Sequence, residues 1–360
     1  MEKASAVKPG TLGYFNLDRG VGILLVLLMH SANLFGVVTL GQAGGGLFAG
    51  WVDVVGAGLM AMFFLESGYG YFRRKPRQCL KNQVTMLIVP YYIASALIVL
   101  TKLALAVIEH RPFTEHGGNL VLTYLLVLNH NGGGTLFGIP TESVRIYWYP
   151  FSLAVGWVIL NAIEQRKDTR FRAAMITLCV LVGCGLGMWR ERWMFEIPVV
   201  LCVVGYLAAG AEIRKRKLLE KKLPWWAYAL MLLAIAVSLA FGQINFANCR
   251  WRLGPVDLLA AGCIGFLLMR LMAWVKTRVS GRLTAAVETV GLDSFMIILV
   301  HGYEGQIVPW YRLEGLLGGR KPLCAVIVFV LRLAFVLAVV KGIDAGKRLY
   351  ADRRRGKAER

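Results

Sequence analysis

Ten apolar stretches, each about twenty residues long, leave this chain of 360 residues little choice of architecture. Hydrocarbon offers no water to backbone N–H and C=O groups, so a run of that length crosses the ~30 Å core as a helix, whose hydrogen bonds close on themselves. The stretches fall at 21–40, 52–72, 84–108, 146–163, 173–189, 194–211, 225–243, 254–275, 286–308 and 322–341. The expected fold is all-α, a polytopic membrane bundle of about ten transmembrane helices. No segment between them is long enough for a soluble domain, so residues 1–360 read as one transmembrane domain.

The charge is arranged to match. Lys and Arg number 41 against 21 Asp and Glu, a net +20, which in a soluble chain would suggest nucleic acid. Here 29 of the cations lie in the alternate segments 1–18, 73–83, 164–172, 212–222, 270–282 and 341–360, and only 9 in the intervening loops. Short loops rich in Lys and Arg stay cytoplasmic. Both termini are therefore expected in the cytoplasm and the chain in the inner membrane, with its surplus charge facing anionic lipid and no nucleic acid partner. Residues 119–129, "NLVLTYLLVLN", are apolar but too short to span, and a span there would put "QRKDTRFR" outside. They read as a short interfacial or re-entrant helix in a long outer loop from His110 to Arg145, and loops of that length are commonly functional. The first apolar run is too long for a cleavable signal and no small-residue cleavage site follows it, so it is expected to remain as a helix.

Several smaller features read as packing. The seven cysteines show no CxxC spacing, and no metal site is expected. "GCGLG" at 183–187 lies inside a span without a preceding strand, which suits close helix contact rather than a nucleotide loop. "GQAGGG" at 41–46 and "NGGG" at 131–134 fall in outer loops. There is no internal repeat and no pair of half-helices broken by Pro or Gly, which disfavours an inverted-repeat transporter.

Ionisable residues in hydrocarbon are costly, and each asks for a partner or a function. Arg19 sits at the inner edge of the first span. His30, eleven residues on, lies ~16 Å deeper and on the same helix face. Glu66, in "FFLESGYGYF", falls between their levels, Arg332 near the middle of the last span, and His301 in the outer half of the ninth. Plainer roles exist for each. Arg19 could be a snorkelling anchor, as Lys102 near the outer end of its helix is expected to be; Glu66 and Arg332 could form a structural ion pair; a membrane histidine could be a hydrogen-bonded packing residue.

Asp18, Arg19 and, after ten intervening residues, His30 resemble the opening pattern of the integral-membrane acyltransferase family 3, which includes O-acetyltransferases of cell-surface glycans. The resemblance continues in Phe63, Phe64, Ser67, Gly68 and Tyr69, in "WYP" at 148–150, in "VVGYLAAG" at 203–210 and in "GLDSFMIILVH" at 291–301. These echoes follow the family's order along most of the chain. Two features depart from it. The family spaces its acid two or three residues before the basic residue, whereas Asp18 adjoins Arg19; and Glu66 stands where relatives carry an apolar or small residue, so it either serves the chemistry or pairs with Arg19. No extracytoplasmic esterase-like domain follows the bundle, so transfer is expected to be completed within it.

The resemblance implies a membrane O-acyltransferase that moves an acyl group, acetyl by expectation, from cytoplasmic acyl-CoA to a hydroxyl of an extracytoplasmic carbohydrate. Acetyl-CoA is the donor substrate and no tightly bound cofactor is implied. His30 would take the hydroxyl proton. Arg19, with Glu66 beside it, would hold a CoA phosphate or the developing oxyanion. Ser67 and Tyr69 would line the acyl channel or hydrogen-bond Glu66, and Gly68 would let helices approach closely. Arg73, Arg74 and Lys75 would dock the nucleotide, unless they only set topology. On the outer side His301, Trp148, Tyr149 and Arg332 are the acceptor candidates, aromatic faces stacking on sugar rings, with an aromatic belt as the alternative. An acyl-histidine at His30 or His301 is the alternative to direct transfer, and a homodimer is allowed. The competing readings are a proton-coupled transporter or exporter relaying protons through the same charges, and a membrane scaffold without chemistry, which would leave those charges unexplained.

Overall fold

The computed structural model describes residues 9–39, 50–110, 113–129, 134–136, 139–190 and 193–358. Position 40 of the first expected span, the "GQAGGG" loop and positions 131–133 of "NGGG" lie outside the described residues. Helix α1 is Pro9–Leu34 and α2 is Trp51–Tyr69; α3, Pro76–Gln83, runs through a wide π turn, Val84–Ile88, into α4, Val89–Ile108. Then follow α5 (Phe113–Leu125), α6 (Trp148–Glu164), α7 (Thr169–Trp189), α8 (Ile197–Lys215), α9 (Trp225–Phe241) and α10 (Pro255–Arg278). The chain ends with α11 (Arg282–Leu292), α12 (Ser294–Ile307), the short α13 (Leu313–Leu316) and α14 (Lys321–Ala358). Two small antiparallel hairpins interrupt the helices: β1 (Gly134–Leu136) with β2 (Ile139–Thr141), and β3 (Ile244–Asn245) with β4 (Arg250–Trp251).

The molecule is an all-α polytopic bundle. Among the described residues, eight helical segments are long and apolar enough to cross a membrane, and α11 with α12 passes the same test only as a bent pair, a broken span or a re-entrant turn. Helix α9 is apolar but has 17 residues, so it reaches only ~26 Å. The π turn before α4 has a local cause. Pro90 lacks the N–H that would bond the carbonyl of Met86, so the helix widens there rather than breaking.

Two expectations need correction. Residues 286–308 are not one continuous helix but parts of two helices meeting at 70°. The chain turns at Gly291–Asp293, where α11 lies along the start of α1 so closely that a Cβ on Gly291 would overlap the Asn16 carbonyl oxygen. Asp293 ties the break to two helices: its carbonyl accepts the Ile297 N–H of α12, and its carboxylate pairs with Lys341 of α14 at 2.9 Å. The short helix expected at 119–129 is α5, Phe113–Leu125, and residues beyond it leave the helix. At ~20 Å it cannot cross the membrane; it packs on α4, where the Tyr91 hydroxyl donates to the Tyr124 carbonyl at 2.6 Å.

The bundle has two unlike ends. The basic end gathers the start of α1, the end of α14 and the segments 73–83, 164–172, 212–222 and 270–282; the loop end gathers α5, both hairpins and α13. Small residues set the closest helix contacts. A Cβ on Gly68 would overlap the Leu207 carbonyl oxygen and one on Gly210 that of Leu65, so α2 and α8 touch backbone to backbone, as expected for Gly68. In "GCGLG", Gly183 and Gly187 pack against Pro198 and Trp251, while Gly185 faces open space. All seven cysteines are free and six are buried.

Candidate active site

A cavity of about 670 Å³ opens among α1, α2, α6, α12 and α14 in the loop-end half of the bundle, and His30, Trp148, His301 and Arg332 line it. The two imidazoles face each other across α1 and α12, with ring centroids 5.4 Å apart and planes tilted by 56°. Helix α12 supplies more than His301. One turn on, the fully buried Glu304 places Oε1 2.6 Å from His301 Nδ1, because residues three apart share a helix face. Arg332 brings Nε to 3.4 Å from the same oxygen, and the Trp310 indole N–H donates to the other. Arg332 also donates to Ser31 Oγ at 3.4 Å, and Ser31 donates to the Leu27 carbonyl at 2.8 Å, tying this cluster back to α1.

Closer to the mouth the lining is polar. Lys102 pairs with Glu142, so it is an ion-pair partner at the cavity and not the lipid anchor expected of it. Asp53 accepts from Asn245 at 3.2 Å. Arg145 has a left-handed backbone, φ 52°, and its N–H is held by Ser143 Oγ at 3.0 Å. A non-glycine residue held in that region costs free energy that the surrounding contacts must offset. Among the described residues its guanidinium has no ion-pair partner, and Arg145 lines the same cavity as Arg332 and His30.

The other expected site residues gather elsewhere. Arg19 Nε lies 2.8 Å from Glu66 Oε2; Arg19 is 39% exposed and the Glu66 side chain fully buried. Asp18 is 1% exposed, its carboxyl group beside that of Glu66. The expected alternative pairing of Glu66 with Arg332 is not found, because they sit at different depths: Glu66 in the basic half with Arg19, Arg332 in the loop half with Ser31 and Glu304. The same separation removes one of the two roles expected of Arg19. Eleven residues of helix put it ~16 Å from His30, beyond the reach of an oxyanion formed there. Ser67 accepts the Trp157 indole N–H at 2.7 Å, and the Tyr69 ring packs on Phe15 at 4.9 Å, so neither is a partner of Glu66. Arg73 donates to the Glu164 carbonyl at 3.3 Å, Asn161 and Gln165 bind the backbone of Arg74, and Lys75 caps α3 ahead of Pro76.

Trp148 and Tyr149 part company. Trp148 lines the cavity, whereas Tyr149 packs on Phe63 and Phe64 at 6.0 and 5.1 Å and is not part of its lining, which corrects its expected role at the acceptor. Both are buried, so neither belongs to a lipid-facing aromatic belt. Phe63, Phe64 and Tyr149 form an aromatic layer between the Arg19–Glu66 pair and the histidine cavity. Glu304, Trp310 and Arg145 escaped the sequence reading. The His-x-x-Glu spacing in "HGYEGQ" was the available signal for the first; the other two had none.

Fold and site together define a polytopic membrane protein that gathers ionisable side chains inside its own helices. The family model for the acyltransferase domain of acyltransferase family 3 matches residues 12–341, and the chain belongs to that family. It is a membrane acyltransferase. No curated protein and no solved structure matches the chain.

Proposed function

We propose that the protein is an acyl-CoA-dependent O-acyltransferase that carries an acetyl group from cytoplasmic acetyl-CoA to a hydroxyl of an envelope carbohydrate presented at the outer face of the inner membrane. The observation that carries this reading is the facing pair His30–His301, 5.4 Å apart on the wall of the cavity. A hydroxyl is a poor nucleophile until a base takes its proton, and a positioned imidazole is the side chain best suited to do so near neutral pH. Arg145 is available to offset charge developing on the thioester oxygen. Trp148 offers an aromatic face, and the amides and carboxylates near the mouth suit a hydroxyl-rich acceptor. The cation bias of the loops supports a cytoplasmic basic end, where Arg19, Arg73, Arg74 and Lys75 would meet CoA phosphates. The acyl group would then pass Ser67, Tyr69 and the aromatic layer to reach the histidines.

The test is purified protein in detergent with labelled acetyl-CoA, comparing wild type, His30→Ala and His301→Ala. Label transfer or CoA release in wild type that is lost in the histidine variants supports the reading. A wild type that neither binds nor consumes acetyl-CoA, yet moves a solute with the proton gradient in vesicles, would replace it with a transporter.

A further inference from the structure

Glu304 is built into the site but cannot be a substrate contact. Its side chain is fully buried, and both carboxylate oxygens are already occupied: Oε1 by His301 Nδ1 at 2.6 Å and Arg332 Nε at 3.4 Å, Oε2 by the Trp310 indole N–H. What it can still do is hold a histidine. A carboxylate accepts hydrogen bonds, as Oε2 does from Trp310, so with Oε1 as the acceptor of the 2.6 Å contact it is Nδ1 that carries the His301 proton. Nε2 is then the one ring nitrogen of His301 with a free lone pair. His30 has no such backing: among the described residues no carboxylate pairs with it, and its ring faces that of His301.

We propose that Glu304 is a positioning residue that makes His301, rather than His30, the proton acceptor in acyl transfer. This rests on the acyltransferase reading above. As the acceptor oxygen bonds to the thioester carbonyl carbon, its proton passes to His301 Nε2, and the Glu304 carboxylate stabilises the resulting imidazolium. When the C–S bond breaks, the CoA thiolate takes that proton from Nε2, leaving ester, free thiol and neutral His301. His30 then contacts the substrates from α1 without receiving the proton. The division of labour is that of an oriented base backed by a buried carboxylate, a geometry that recurs on unrelated folds.

Two readouts test it on the full-length protein in detergent. In steady-state kinetics with acetyl-CoA, Glu304→Gln should keep KM within about twofold and lower kcat on the order of 100-fold, with Glu304→Asp recovering part of the loss. Wild-type kcat in Glu304→Gln overturns the proposal. So does a loss in which KM and melting temperature change together and Asp does no better than Ala, the pattern of a purely structural role. The second readout needs no acyl donor: ¹⁵N-histidine NMR, assigned with His301→Gln, should find His301 in the Nδ1–H tautomer. An Nε2–H tautomer overturns the proposal even if the protein proves inactive on acetyl-CoA, whereas inactivity with an Nδ1–H tautomer counts against the acyl-CoA reading and supports the role of Glu304 as a holder of His301.

Discussion

Arg19 and His30 leave α1 on nearly the same face, yet they end in different neighbourhoods, one with Glu66 at the basic end and the other with His301 beside the cavity. That ionisable residues matter here was legible in the sequence, because charges within apolar runs are rare and expensive. Their partners were not. Glu66 could have met Arg19 or Arg332, and only the packing of α2 against α1 decides between them. The same packing brings Asp18 beside Glu66, so a second buried acid adjoins the Arg19–Glu66 pair. Arg19→Ala should therefore destabilise the protein by on the order of 2 kcal/mol, less than the ~3–5 of a fully buried pair because Arg19 is partly solvated. Adding Glu66→Gln should restore most of it. Thermal unfolding in detergent of the two single variants and the double variant measures this coupling, and a double variant no more stable than Arg19→Ala would show that the pair contributes nothing.

Helix existence was easier to read than helix shape. Twenty-residue apolar runs announce spans, but a hydropathy window does not register the 70° turn at Asp293, since α11 and α12 read together still pass as one apolar run. That turn matters to the site, because it separates α11, which follows α1, from α12, which carries His301 and Glu304 into the bundle. Glycines were read more successfully. Gly68 was expected at a close approach and lies on the Leu207 carbonyl, with Gly210 reciprocating on Leu65. Gly68→Val should cost about 1–3 kcal/mol through overpacking and lower the yield of folded protein. Gly185→Ala, one helix away in open space, should be neutral or stabilise by up to ~1 kcal/mol. Melting temperatures of the two variants side by side check the contrast, and equal losses would mean that α7 makes a contact at Gly185 that its open surroundings do not suggest.

Across the bundle the functional groups divide by depth: cations and the Arg19–Glu66 pair at one end, the histidine cavity at the other, and Phe63, Phe64 and Tyr149 between them. The cation bias predicts the sidedness. Single cysteines placed at Arg216 and at Glu314, in a background lacking the native cysteines, should react with a membrane-impermeant thiol reagent from opposite sides of intact vesicles, Arg216 from the cytoplasmic face. Labelling of both from one side would refute the topology. Phe64→Ala should open the aromatic layer and change turnover more than CoA binding, as measured by kcat and KM for acetyl-CoA; an effect confined to KM would place the donor's path elsewhere. The most decisive observation is the position of the acyl group in a cryo-EM structure with a non-reactive thioether analogue of acetyl-CoA. The nucleotide should lie at the basic end and the acyl carbon in contact with His30 and His301. An acyl group that stops beside Arg19 and Glu66, with both histidines untouched, would contradict a reaction at the histidine pair.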